Sequence, residues 1–296
     1  MYNGRMPDIG RRLLATCWTH AGNARPGRGD GASPLTLRER IEATAAAGWD
    51  GIGLPVVDLE RARATSSWPE IRALIDANGI AQVELEFLGD WWTEGERRAA
   101  SDATRRFLLD AAEALGANAI KVGGDRLGEH VDPDRFRAEF DVLATQARDA
   151  GTRVALEAMP MSELSTTRAA AAVVRDVGNP GGGLCVDIWH ARRAGATDQE
   201  LRECIAIADL VVVEVEDAAA EVVGSMWDDS CDRRMNPGDG DLDAPGFIAT
   251  MHELGWRGMW GVEMIAEAHR ALPVGEALTR TRTAMLGAID AAEALL

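Results

Sequence analysis

Cationic side chains are scarce in this 296-residue sequence: 31 Lys plus Arg stand against 48 Asp plus Glu, a formal charge of −17. That field repels nucleic acid and anionic membrane, although a small anionic substrate can still reach a local cation. Cysteine is sparse as well. Cys17, Cys185, Cys204 and Cys231 lie far apart and make no CxxC pair, which favours a reduced, cytoplasmic setting. No apolar run is long enough to span a bilayer, so no membrane helix is expected. The start, MYNGRMPDIGRR, is charged with no apolar stretch behind it, and no signal peptide is expected. No Pro/Gly/Ser-rich linker divides the chain. A single domain over residues 1–296 is expected, with enough apolar residues (46%) to bury a large core.

One junction recurs: an Ala-rich helical run, a glycine, then a short apolar strand. It occurs around Gly48, Gly79, Gly116, Gly151 and Gly255. A glycine just past a helix end takes the left-handed conformation that turns the chain into the next strand. Adding LLATCW (Leu13–Trp18), GLCVD and DLVVVE gives eight strands. Helical stretches fall near 36–47, 66–77, 94–115, 132–150, 164–177, 197–206, 244–254 and 274–295. Eight strands alternating with eight helices predict an α/β fold, a closed (β/α)8 TIM barrel, with an open doubly wound sheet as the alternative. Two connections are long, residues 20–34 after the first strand and 217–243 after the seventh. Both leave strand carboxyl ends and are expected to overhang a site there.

Four strands end on an acid: VALE at Glu157, GLCVD at Asp187, VVVE at Glu214 and MWGVE at Glu263. The carboxyl ends of barrel strands carry the chemistry of such folds. Unpaired carboxylates sharing one cavity repel, and a divalent cation is the simplest way to hold them together. Oxygen donors favour Mg or Mn, with Co or Zn also admissible. Four ionised carboxylates would overcompensate a dication, so the cluster needs local cations, or one member protonated or acting without touching the ion. Lys121, His190 and Arg234 are the candidate cations.

His190 follows Asp187 by three residues and is placed to polarise a substrate oxygen or orient a carboxylate. Lys121 ends a strand; it either binds a substrate hydroxyl or carbonyl, or neutralises the acids. Glu84 and Glu86 share one strand face, and Glu86 either reaches the cavity or forms a rim salt bridge. Arg233 and Arg234 precede the turn-rich NPGDGDLD, which can aim an arginine inward. The GDG within it lacks the spacing of a phosphate cradle. Nine tryptophans accompany a single tyrosine, and Trp18, Trp91, Trp92, Trp189 and Trp227 fall at strand ends or in following loops. Several could form an aromatic wall against a sugar or ring face.

Together, LEAMP with Glu157, DIWHARRAG with Asp187 and His190, RMNPGDGDLD with Arg234, and WGVE with Glu263 resemble the xylose isomerase-like barrel superfamily of sugar-phosphate isomerases and epimerases. The likeness runs through nearly the whole chain and is strongest from Gly151 to Glu263. It implies that Glu157, Asp187 and Glu263 hold a divalent metal and that the two glutamates flank the substrate as acid/base groups. It also implies that His190 and Arg234 contact substrate. Strand seven departs from the pattern: many relatives place a histidine ligand three residues before an aspartate, where this chain has Glu214 before Asp217.

The expected activity is therefore a metal-dependent isomerase or epimerase of a small keto-sugar or keto-inositol, working through an enediolate. The same proton abstraction followed by loss of a leaving group makes a dehydratase or lyase the alternative. A non-catalytic sugar-binding or accessory subunit is a third reading, which the substitution at Glu214 keeps open. The expected partner is a small polyhydroxy carbonyl compound; homo-oligomerisation stays open.

Overall fold

In the computed structural model, residues 9–124 and 131–296 are described. Most of the N-terminal stretch read above for a signal peptide lies outside the described residues. Eight parallel strands close on themselves in chain order. They are β1 (Leu13–Ala15), β2 (Gly51–Pro55), β3 (Gln82–Leu88), β4 (Ala119–Gly123), β5 (Arg153–Glu157), β6 (Gly182–Asp187), β7 (Leu210–Glu214) and β8 (Trp260–Val262). β1 pairs with β2 on one side and β8 on the other, which closes the barrel. Most strand residues are buried without alternation, because helices cover the outside and side chains fill the inside.

The helices fall where the repeating pattern places them, from Leu37–Ala46 through Val274–Glu293. Their starts are chemically marked. Thr36, Ser67, Thr166 and Thr197 each accept a hydrogen bond from the backbone three residues on, satisfying donors that the first helical turn leaves free. Gly116 ends the helix Gly95–Leu115 at φ 61°, and its N–H bonds back to the Ala112 carbonyl. Four shorter helices lie outside the sequence expectation: Val56–Arg63, Ile188–Arg193, Met226–Asp232 and Glu267–Arg270. Each follows the carboxyl end of a strand and is too short to show an apolar period.

Small residues, Ala119, Ala155, Cys185 and Val212, plug the barrel interior. Above that plug, at the carboxyl ends of the strands, the lining turns acidic. The aromatic wall is narrower than expected. Trp91 and Trp92 pack into the core against Phe136, with ring centroids 4.4 and 5.4 Å away, and the Trp91 indole donates to the Gly123 carbonyl. Trp189 is also fully buried. Trp18 and Trp227 remain at the mouth. Among the described residues no helix is long and apolar enough to cross a membrane.

Candidate active site

The barrel register decides which acids meet. Glu157, Asp187 and Glu214 are the last residues of β5, β6 and β7, and Glu263 is one residue past β8. Asp187 pairs in register with Glu214, so their side chains rise at the same level of the barrel. Oxygens of Asp187, Glu214 and Glu263 lie within 4.8 Å of one another, as do donor atoms of Glu157, Asp187 and His190. The structure thus brings all four strand-end acids to one mouth.

Two buried cations stand among them. The Lys121 ammonium lies 2.8 Å from Glu214, 2.9 Å from Glu86 and 3.3 Å from Glu263. Burial disfavours its charge, but Glu214, Glu86 and Glu263 outweigh that and hold its pKa well above the ordinary lysine value. The Arg234 guanidinium donates to Asp187 at 2.9 Å and Glu216 at 2.7 Å, and sits 3.1 Å from Glu263. Its plane is held over the Trp189 ring, 5.1 Å from the centroid. Arg233, by contrast, is exposed.

Asp187 caps the short helix Ile188–Arg193 by accepting from the His190 N–H. That turn swings the His190 imidazole back over the acids, with Nε2 3.7 Å from Glu157 and 3.9 Å from Asp187. Burial lowers the His190 pKa to about 4 despite Asp187, so the ring is neutral near pH 7. Its buried Nδ1 has no hydrogen-bond partner among the described residues. Glu86 does reach the interior: it accepts from the Cys17 N–H at 3.2 Å as well as pairing with Lys121. Gly53 makes room for it, since a Cβ there would lie 3.0 Å from the Glu86 carboxylate and 2.8 Å from the Cys17 nitrogen.

Glu216 is the functional-site residue that the sequence reading passed over. It is fully buried and bonded to Arg234 and to the Trp189 N–H. A signal existed: Glu216 stands two residues after Glu214, the spacing of one strand face. A second overlooked signal is that Lys121 is the only lysine in the sequence.

A cavity of about 710 Å³ opens above these groups, lined by Glu157, His190, Arg234 and Glu263, with Trp18 and Trp227 at its wall. Gly27 and Gly31 from residues 20–34 and Trp227 and Ser230 from residues 217–243 line it. The two loops touch over the mouth, where a Cβ on Gly27 would lie 3.0 Å from the Trp227 ring.

The donor set fits a divalent cation. Glu86, Glu157, Asp187, Glu214, Glu216 and Glu263 gather round Lys121 and Arg234, leaving negative charge in excess. Burial pushes Glu157 up to about 8 against the pull of Lys121, and pushes Glu214 and Glu216 upward too. Asp187 is held below the ordinary range, because Arg234 and His190 outweigh its burial. Buried carboxyl groups whose hard oxygen donors converge suit a divalent cation.

The fold is a barrel whose acid-lined mouth could hold a metal ion, and comparison with known proteins places it. A profile described as xylose isomerase-like TIM barrel matches residues 41–284. The chain belongs to that family. It is similar to proteins named 3-dehydroshikimate dehydratase in Pseudomonas putida (strain KT2440) and Pseudomonas aeruginosa (strain PAO1). The first is 28% identical over 249 residues and the second 30% over 254, each alignment covering 80% of this chain. The chain spans only 37% of the length of these relatives. Among solved structures, the IOLI protein with a bound zinc atom superposes with a TM-score of 0.80 at 18% identity, covering 96% of this chain and 99% of that one.

Proposed function

We propose that this barrel is a divalent-metal-dependent dehydratase, a lyase, acting on a small hydroxylated ketone of the 3-dehydroshikimate type. The observation that carries the reading is the likeness to two dehydratases over 80% of this chain, joined to an acid-lined mouth able to move a proton. This moves the elimination ahead of the isomerase or epimerase that the sequence suggested first.

Glu157, Asp187, Glu214 and Glu263 would hold the ion. When bound it supplies Lewis acidity to carbonyl and hydroxyl oxygens of the substrate. Glu157, desolvated and next to His190, takes the proton from the carbon beside the carbonyl. The electron pair forms the new double bond as the C–O bond one carbon further on breaks. Glu263, across the same cavity, delivers a proton to the departing hydroxyl, which leaves as water. His190, neutral and with a free ring nitrogen, and Arg234 orient substrate oxygens. Trp18 offers an apolar edge for the ring.

The test is turnover of 3-dehydroshikimate with added Mn or Mg, followed by chelation. Loss of water from the substrate, abolished by chelator and reduced by about 100-fold or more in Glu157→Gln, supports the reading. Solvent deuterium entering a sugar ketone with no loss of water would return the isomerase to first place. Binding without turnover across a broad panel of keto-sugars and keto-acids would favour an accessory subunit.

A further inference from the structure

Lys121 is the sole lysine of the chain; every other cationic residue counted with it is arginine. It is also 1% exposed, at the centre of the acid cage. A chain that uses arginine at every exposed cationic position has kept an ammonium at this one point. The geometry gives the reason. An ammonium presents three N–H donors from a single atom, and three separate carboxylates, Glu214, Glu86 and Glu263, stand 2.8, 2.9 and 3.3 Å from it. A guanidinium spreads its donors over a flat fork, as Arg234 does toward Asp187, Glu216 and Glu263, whereas the ammonium meets its acids from a single atom. The ammonium donates to Glu214 and Glu263 and lies beside Glu86, so its charge is held among the acids of the site.

The closest of the three contacts is to Glu214, which is 0% exposed and takes a weaker second contact from the Cys185 thiol at 3.4 Å. We propose that Lys121 and Glu214 act as one electroneutral unit, in which the ammonium positions the Glu214 carboxylate at the metal site and cancels its charge. Glu214 then offers an oxygen without adding to the negative charge already supplied by Glu157, Asp187 and Glu263. Lys121 is a positioning residue in this scheme, not a catalytic one. The placing of Glu214 at a metal site rests on the metal reading given above; its pairing with Lys121 does not.

Three measurements judge it. In protein labelled with nitrogen-15 lysine, a single side-chain ammonium signal is expected, with proton exchange slowed at least about tenfold relative to free lysine by its buried hydrogen bonds. Exchange as fast as in free lysine would overturn the proposal. In thermal melts, Lys121→Met and Glu214→Gln should each lower Tm, because each strands one buried partner, whereas the double variant should recover most of the loss. A double variant no more stable than the worse single one, or recovery by Glu86→Gln in place of Glu214→Gln, overturns it. In calorimetric titrations with Mn, Glu214→Gln should weaken binding and Lys121→Met should tighten it, each by about tenfold, as expected for removing one charge of either sign. Shifts in the same direction overturn it. A wild-type protein that binds no divalent ion would instead end the metal reading, while the melts would still decide the pair. Lys121→Arg should not restore the wild-type melt.

Discussion

Glu157 shows how a single side chain records its surroundings. Burial pushes it up to about 8, and Glu84, two residues before Glu86 on the same strand face, is pushed up to about 7. In the unfolded chain both ionise near their ordinary value of 4.5. Between that value and about pH 8 the native protein without metal therefore holds more protons than the unfolded chain, and its stability falls as pH rises. His190 acts in the opposite sense: lowered to about 4, it adds stability from there up to its ordinary 6.5. The clean window lies between pH 6.5 and 8, where Tm of chelator-treated protein should decline. A rising Tm there would contradict the burial of Glu157. Because a ligating carboxylate must give up its proton, Mn binding at pH 7 should release about one proton, visible as a buffer-dependent enthalpy in calorimetry.

At the scale of elements, the loop after β7 depends on Asp217. Its backbone exchanges hydrogen bonds with Met235 at 2.9 and 2.7 Å, and its carboxylate accepts from the N–H groups of Ala218, Gly238 and Leu242. That clasp folds the loop back and fixes Arg234, one residue before Met235, against Asp187 and Glu216. Replacing Asp217 by Ala leaves buried donors unpaired and should cost about 3 kcal/mol in denaturant unfolding. It should also raise KM more than it lowers kcat, as Arg234 loses its anchor. An unchanged KM would show that Arg234 is held by its acids alone. The NPGDGDLD motif marked the turn in the sequence. The clasp was not legible, because Asp217 meets donors 21 and 25 residues further along the chain.

For the whole molecule, an ion that binds the closed barrel and not the unfolded chain must stabilise the fold. At a free concentration 100 times its Kd the gain is about 2.7 kcal/mol, read as a rise in Tm that chelator reverses. No rise with Mg, Mn, Co or Zn would sink the metal reading. The sequence by itself determined the repeat of helix, glycine and apolar strand, and with it the barrel and the acids at its strand ends. Those are local patterns: a strand's period and its last residue place a carboxylate whatever lies across the mouth. Only the tertiary structure decided which cations stand between the acids, that Glu216 joins them, and that Trp91 turns to the core while Trp18 stays at the cavity. Those outcomes are fixed by distances through space between residues far apart in the chain, which a reading of neighbours along the sequence does not contain.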